Sequence, residues 1–144
     1  MLTIALLFSM LFASAMSSGT LVVVIGNVEH AEGRLMVALY EDPARWLDDD
    51  GRAREFVLPI EEGATDCRIG IENLPFGTYA LAVFHDENGN GVLDTNLFGV
   101  PTEPYAFSNN PDLKWRQPKY EDAGFAFARD GQEILLLLAK WKER

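Results

Sequence analysis

Apolar residues in this chain fall at period two or in short β-branched runs, and no stretch sustains the 3.6-residue period of an amphipathic helix. Leu21-Val22-Val23-Val24-Ile25 is closed by Gly26-Asn27, and Arg34–Tyr40 alternates Leu35, Val37 and Leu39 with Met36, Ala38 and Tyr40. The pattern predicts further strands over Glu55–Ile60, Asp66–Ile71, Thr78–Phe84, Tyr120–Ala128 and Glu133–Ala139. In Thr78–Phe84, Tyr79, Leu81 and Val83 share one face. Turn residues punctuate the runs: Glu32-Gly33, Asp42-Pro43, Leu74-Pro75-Phe76-Gly77 and Arg129-Asp130-Gly131-Gln132. Glu61–Thr65 reads as a hairpin connection between its flanking strands, Arg129–Gln132 as another, and Ala44–Asp50 as one helical turn. About seven short strands separated by turns imply an all-β fold, a single antiparallel β-sandwich of prealbumin or immunoglobulin type. One long irregular loop, His85–Lys119, interrupts it.

The first fifteen residues, Met1–Ala15, are apolar and uncharged and end in Ala13-Ser14-Ala15, a small-x-small cleavage pattern. They are shorter than the ~20 residues a spanning helix needs. The expected organisation is a signal peptide over 1–15 and one domain over 16–144, exported to the periplasm or secreted, with no membrane insertion after cleavage. A net charge of −10 disfavours nucleic acid and anionic membrane as partners and favours cations. The 48% apolar content excludes wholesale disorder. The single cysteine, Cys67, excludes an intrachain disulfide and sits on the same strand face as Ile69 and Ile71, a buried structural thiol rather than a nucleophile.

Directly after the clearest strand stands Asp86-Glu87-Asn88-Gly89-Asn90-Gly91-Val92-Leu93-Asp94, which matches the first nine positions of a calcium-binding loop. Oxygens at positions one, three and five converge when the chain curls, and Gly91 at position six permits the curl. Asp86, Asn88, Asn90, the Val92 carbonyl and Asp94 are the expected ligands of Ca2+, since hard oxygen donors suit calcium better than zinc or copper. Position twelve is Leu97 rather than glutamate, and a strand rather than a helix enters the loop. A closing carboxylate therefore has to come from elsewhere; Glu103, Glu121 and Asp122 are the candidates. The competing reading is a plain polar turn, because Asn-Gly is itself a turn signal.

Beyond this loop, aromatics alternate with turn residues. Glu103, Tyr105, Phe107, Asn109, Asn110, Glu121 and Asp122 are the candidate surface for a small extracellular ligand or a protein partner, with Trp115 nearby. The plainer alternative is that these aromatics pin the loop to the sandwich. His85 reads as a satisfied strand-end histidine, since His30 lies far away in sequence. Ser108 lacks the surroundings of a nucleophile. A small extracellular hydrolase would need two of the loop carboxylates facing one another across a cleft.

Leu74–Gly91, then Phe98-Gly99-Val100-Pro101, Tyr105–Asn110 and Tyr120-Glu121-Asp122-Ala123 together resemble the exported bacterial family of unknown function numbered 2141. The resemblance spans nearly the whole mature chain. Leu74–Val83 is also similar to the step into the core strand of transthyretin-like or carboxypeptidase-regulatory-like sandwiches. The resemblance implies an exported β-sandwich; it brings no catalytic residues, and Ala106 stands where such families commonly carry glycine. The expectation is a non-enzymatic exported sandwich whose calcium loop orders an aromatic loop for binding. The alternatives are the carboxylate hydrolase and a purely structural envelope domain.

Overall fold

The computed structural model describes residues 17–112 and 116–141. The expected leader, Trp115 and the end of the C-terminal tail lie outside the described residues. Eight strands run in the order β1 (Ser18–Gly26), β2 (Arg34–Tyr40), β3 (Arg54–Pro59), β4 (Asp66–Pro75), β5 (Gly77–Asp86), β6 (Tyr105–Phe107), β7 (Phe125–Phe127) and β8 (Glu133–Leu137). They form a three-stranded sheet, β4-β1-β8, and a five-stranded one, β3-β2-β5-β6 with β7 pairing the start of β5. The architecture is all-β and sandwich-like, as the periodicity predicts.

Alternation places the core. Leu21, Val23 and Ile25 of β1, Ile71 and Leu74 of β4 and Leu136 of β8 are buried together with Leu35, Val37 and Leu39 of β2 and Tyr79, Leu81 and Val83 of β5. Each fully buried Leu or Ile contributes about 2 kcal/mol, and it does so because the period-two pattern keeps the set on one face. The opposite face of the five-stranded sheet holds a second, smaller cluster, Tyr40, Ala80, Tyr120 and Ala123. Trp46 covers it from the segment after β2.

Four expectations are corrected by the pairing. The Glu61–Thr65 connection is not a hairpin: β3 pairs β2 in one sheet and β4 pairs β1 in the other, so the chain crosses between layers. Arg129–Gln132 is not a hairpin either, because β7 pairs β5 while β8 pairs β1, and pairs it in parallel. Tyr120–Ala123 is a four-residue helical turn, α1, rather than the start of a strand. Asp122 accepts from the Lys119 N–H at 2.7 Å, which caps the turn and favours helix over extension. The helical turn expected at Ala44–Asp50 is divided into two 3₁₀ turns, Pro43–Arg45 and Asp49–Gly51.

Strand β2 lies beside β5 with Arg34 opposite Asp86 and Leu35 opposite His85. The β1–β2 connection is pressed against this end of the sheet at Gly33. A Cβ on Gly33 would fall 2.0 Å from the Asp86 carbonyl oxygen and 2.8 Å from Glu87 Cα, and its φ is +76°. Only glycine fits both the approach and the left-handed backbone. Through that contact, residues far apart in sequence meet at the mouth of the acidic loop.

Candidate functional site

The loop that follows β5 is built on one buried carboxylate. Asp86 is fully buried; its Oδ1 accepts from the Asn90 N–H at 3.1 Å, and its Oδ2 accepts from the Gly91 N–H at 2.9 Å and from Arg34 Nε at 3.0 Å. Burial alone would push this carboxyl up. The Gly91 N–H, the Arg34 guanidinium and the Asn90 N–H outweigh it and hold the group below its ordinary value. Arg34 also donates from Nη2 to the Gly89 carbonyl at 3.1 Å, so one guanidinium ties the first and fourth loop positions.

Successive side-chain oxygens then cap backbone N–H groups two residues on: Asn88 Oδ1 takes the Asn90 N–H at 3.1 Å and Asn90 Oδ1 takes the Val92 N–H at 3.0 Å. Gly89 and Gly91 have φ of +73° and +81°, which completes the curl the motif demands. Both asparagine amides turn their Nδ2 groups onto Asp94: Asn88 to Oδ2, and Asn90 to Oδ1 at 2.8 Å. Asn88, Asn90 and Asp94 thus come together above Asp86, while Val92 is exposed.

Glu103 closes the base of the loop. It is almost completely buried, and Oε1 accepts from the Glu87 N–H at 2.9 Å while Oε2 accepts from the Asp94 N–H at 3.0 Å. One carboxylate therefore fixes both ends of the curl, which explains why a loop with so few apolar residues is held in place. Both of its oxygens are engaged by backbone, so it is a staple beneath the loop rather than a residue of a ligand-facing surface. Asp122 belongs to α1 and to Arg116, whose hydrogen bond at 2.7 Å holds the carboxyl below its ordinary value. Glu121 is exposed.

Of the other residues expected on a binding surface, the aromatics turn inward, while Asn109 and Asn110 are exposed but committed to backbone. Tyr105 is buried, and Phe107 packs against Trp46 with ring centroids 5.9 Å apart. Trp46 further meets Tyr40 at 4.9 Å and Tyr120 at 5.9 Å. Asn109 donates to the Gly124 carbonyl at 2.8 Å. Asn110 joins β8, donating to Leu135 O at 2.8 Å and accepting from Leu137 N at 2.7 Å. Ser108 is buried; its Oγ accepts from Leu81 N at 2.8 Å and donates to Ala123 O at 2.5 Å. These contacts serve the fold. Among the described residues, the most exposed large apolar side chains are Leu97 and Phe98 in the turn Asn96–Gly99, where Asn96 Oδ1 accepts from the N–H groups of Phe98 and Val100.

Arg34 and His30 were not signalled by the loop motif, because their approach depends on the β2·β5 register and on Gly33. His85 is buried and its Nε2 lies 2.6 Å from the Glu32 carbonyl, as a satisfied strand-end histidine should be. It is not alone, however: the His30 ring stands 4.7 Å away, centroid to centroid. Cys67 is half-buried, and burial, with Asp66 and Glu61, pushes its thiol up, away from the reactive thiolate.

No curated protein and no solved structure matches the chain. Residues 23–134, well over half of the chain, match the model of a family described as uncharacterized proteins conserved in bacteria, the domain of unknown function numbered 2141, and the chain belongs to that family.

Proposed function

We propose that this is an exported, non-enzymatic β-sandwich whose Asp86–Asp94 loop takes up calcium and presents the Leu97–Phe98 turn to a protein partner. The observation that supports the reading is the gathering of Asn88 and Asn90 on the Asp94 carboxylate, in a curl organised by Asp86. Calcium would replace the two amide donors at Asp94, with Asn88 and Asn90 turning their Oδ1 atoms from the Asn90 and Val92 N–H groups to the ion. Arg34 offsets the charge of Asp86, and Glu103 is committed to backbone, so few uncompensated negative charges face the ion. Affinity follows ligand charge count, which places this loop with millimolar extracellular sites. Asp94 O also accepts from the Thr102 N–H at 2.9 Å, so an ion at Asp94 would stiffen the base of the segment carrying Leu97 and Phe98. Leu97 and Phe98, adjacent and exposed, are the side chains such a partner would cover.

The test is thermal denaturation with and without calcium. About 10 mM calcium should raise the melting temperature by roughly 4 °C, and Asp94→Asn, which leaves Asp86, Arg34 and Glu103 in place, should remove the rise. Superimposable melting curves of the wild-type chain would end the calcium reading.

A further inference from the structure

We propose a second cation site of a different chemical class, formed by His30, His85 and Glu87, for a first-row transition metal such as zinc or copper; it does not rest on the calcium reading. Among the described residues this is the group of His, Cys, Asp and Glu side chains that could hold a metal, with one ligand atom from each lying within 4.8 Å of the others. The chain contains only two histidines, and the fold brings them together from positions 55 residues apart in sequence, with rings at 4.7 Å.

A hydrogen bond prepares the His85 ring. His85 Nε2 lies 2.6 Å from the Glu32 carbonyl, which can only accept, so Nε2 carries the proton and the lone pair of the neutral ring is on Nδ1. Metal-binding histidines are typically held like this, one nitrogen donating to a carbonyl or carboxylate and the other left for the ion. In His85, Nδ1 is thus left for the ion, whereas the 2.9 Å contact between His30 Nε2 and Glu87 Oε1 is one the ion would replace, both groups turning onto it.

Two imidazoles and a carboxylate suit zinc or copper, where the all-oxygen loop next door suits calcium. Two donors about 2.1 Å from a tetrahedral ion stand about 3.4 Å apart, so the cluster needs to contract by little more than an ångström at its widest. Lys140 Nζ, 3.7 Å from Glu87 Oε1, is the cation the metal would displace from Glu87. Strand and loop positions are set for this: His85 and Glu87 follow one another at a two-residue step at the end of β5, and Gly33 lets the β1–β2 connection carry His30 over them. Three protein ligands leave a further position for water or an incoming ligand atom.

Isothermal titration of the tag-free chain with zinc and with copper tests this, alongside the visible spectrum of the cobalt(II) form. One equivalent should bind, and His30→Ala and Glu87→Gln should each weaken binding at least tenfold while the metal-free variants keep their far-ultraviolet circular dichroism. Asp94→Asn should change zinc affinity less than threefold, which separates the site from the calcium loop; an equal loss there would place the metal in that loop and overturn the assignment. The absence of saturable binding at about 100 µM zinc or copper would also overturn it, as would unchanged affinity in both the His30 and Glu87 variants.

Discussion

The long segment after β5 is held to the sandwich twice, by opposite physics. Its first half, from Asp86 to Glu103, is anchored by buried carboxylates that collect backbone N–H groups: Asp86 from inside the curl, Glu103 from beneath it. Its second half, residues 105–112 and 116–124, is anchored by aromatic packing around Trp46, with Ser108 as a polar latch. The first half should answer mainly to charge, acid and cations; the second mainly to apolar volume, the Asp122 contacts with Arg116 and Lys119 being its charged exception. A single sequence stretch of uniformly loop-like composition therefore holds two regions with different sensitivities.

The strongest way to break the first anchor is at Gly33. Gly33→Ala forces a Cβ into the Asp86 carbonyl and strains a left-handed backbone, and should cost about 4 kcal/mol or more in chemical denaturation, or abolish folding. A loss under about 1 kcal/mol would mean that the β1–β2 connection does not press on Asp86 as described. The second anchor is tested by Trp46→Ala, which removes three ring contacts and the Nε1 donation to Pro118 O at 2.9 Å. It should cost about 3 kcal/mol and leave the calcium-dependent melting shift intact. Loss of that shift would show that the two halves are coupled.

The smallest effect sharpens the contrast through pH. Asp86 is held below its ordinary value near 3.8, so its contribution is fully present above about pH 4 and is lost as pH falls through the folded-state value. Asp86→Asn should cost about 2 kcal/mol at pH 7, and the gap to wild type should narrow steadily on acidification through pH 4 to 3. Asp122 and its Arg116 contact remain in both proteins, so the difference reports Asp86 alone. A gap independent of pH would show that the ionised form of Asp86 is not what holds the curl.

Most of the sandwich was legible as alternation. Tyr79, Leu81 and Val83 announce β5 because a half-buried strand has no other way to bury every second residue. The short β6 was not legible: Tyr105-Ala106-Phe107 is too brief to show a period, and it pairs only because β5 offers a free edge. Alternation at Ala123, Phe125 and Phe127 suggested one strand where the Asp122 cap turns the first residues into helix. The layer crossing between β3 and β4 was hidden because turn residues say that a chain turns, not which edge it turns toward. At the site, the Asp/Asn/Gly spacing showed the curl, and the structure has it. Arg34, the double use of Glu103 and the meeting of His30 with His85 depend on strand register and one glycine contact, which no local pattern encodes.

The parallel pairing of β8 beside β1 carries a kinetic consequence. Thr20 and Asp130, bonded where these strands meet, are 110 residues apart in sequence, so the smaller sheet gains its third strand only after nearly the whole domain has been made. Closing so long a loop is entropically slow relative to local pairing. Until then the Val22–Gly26 backbone is an open template, and a newly made chain spends its vulnerable interval with that row of amides available to any passing strand.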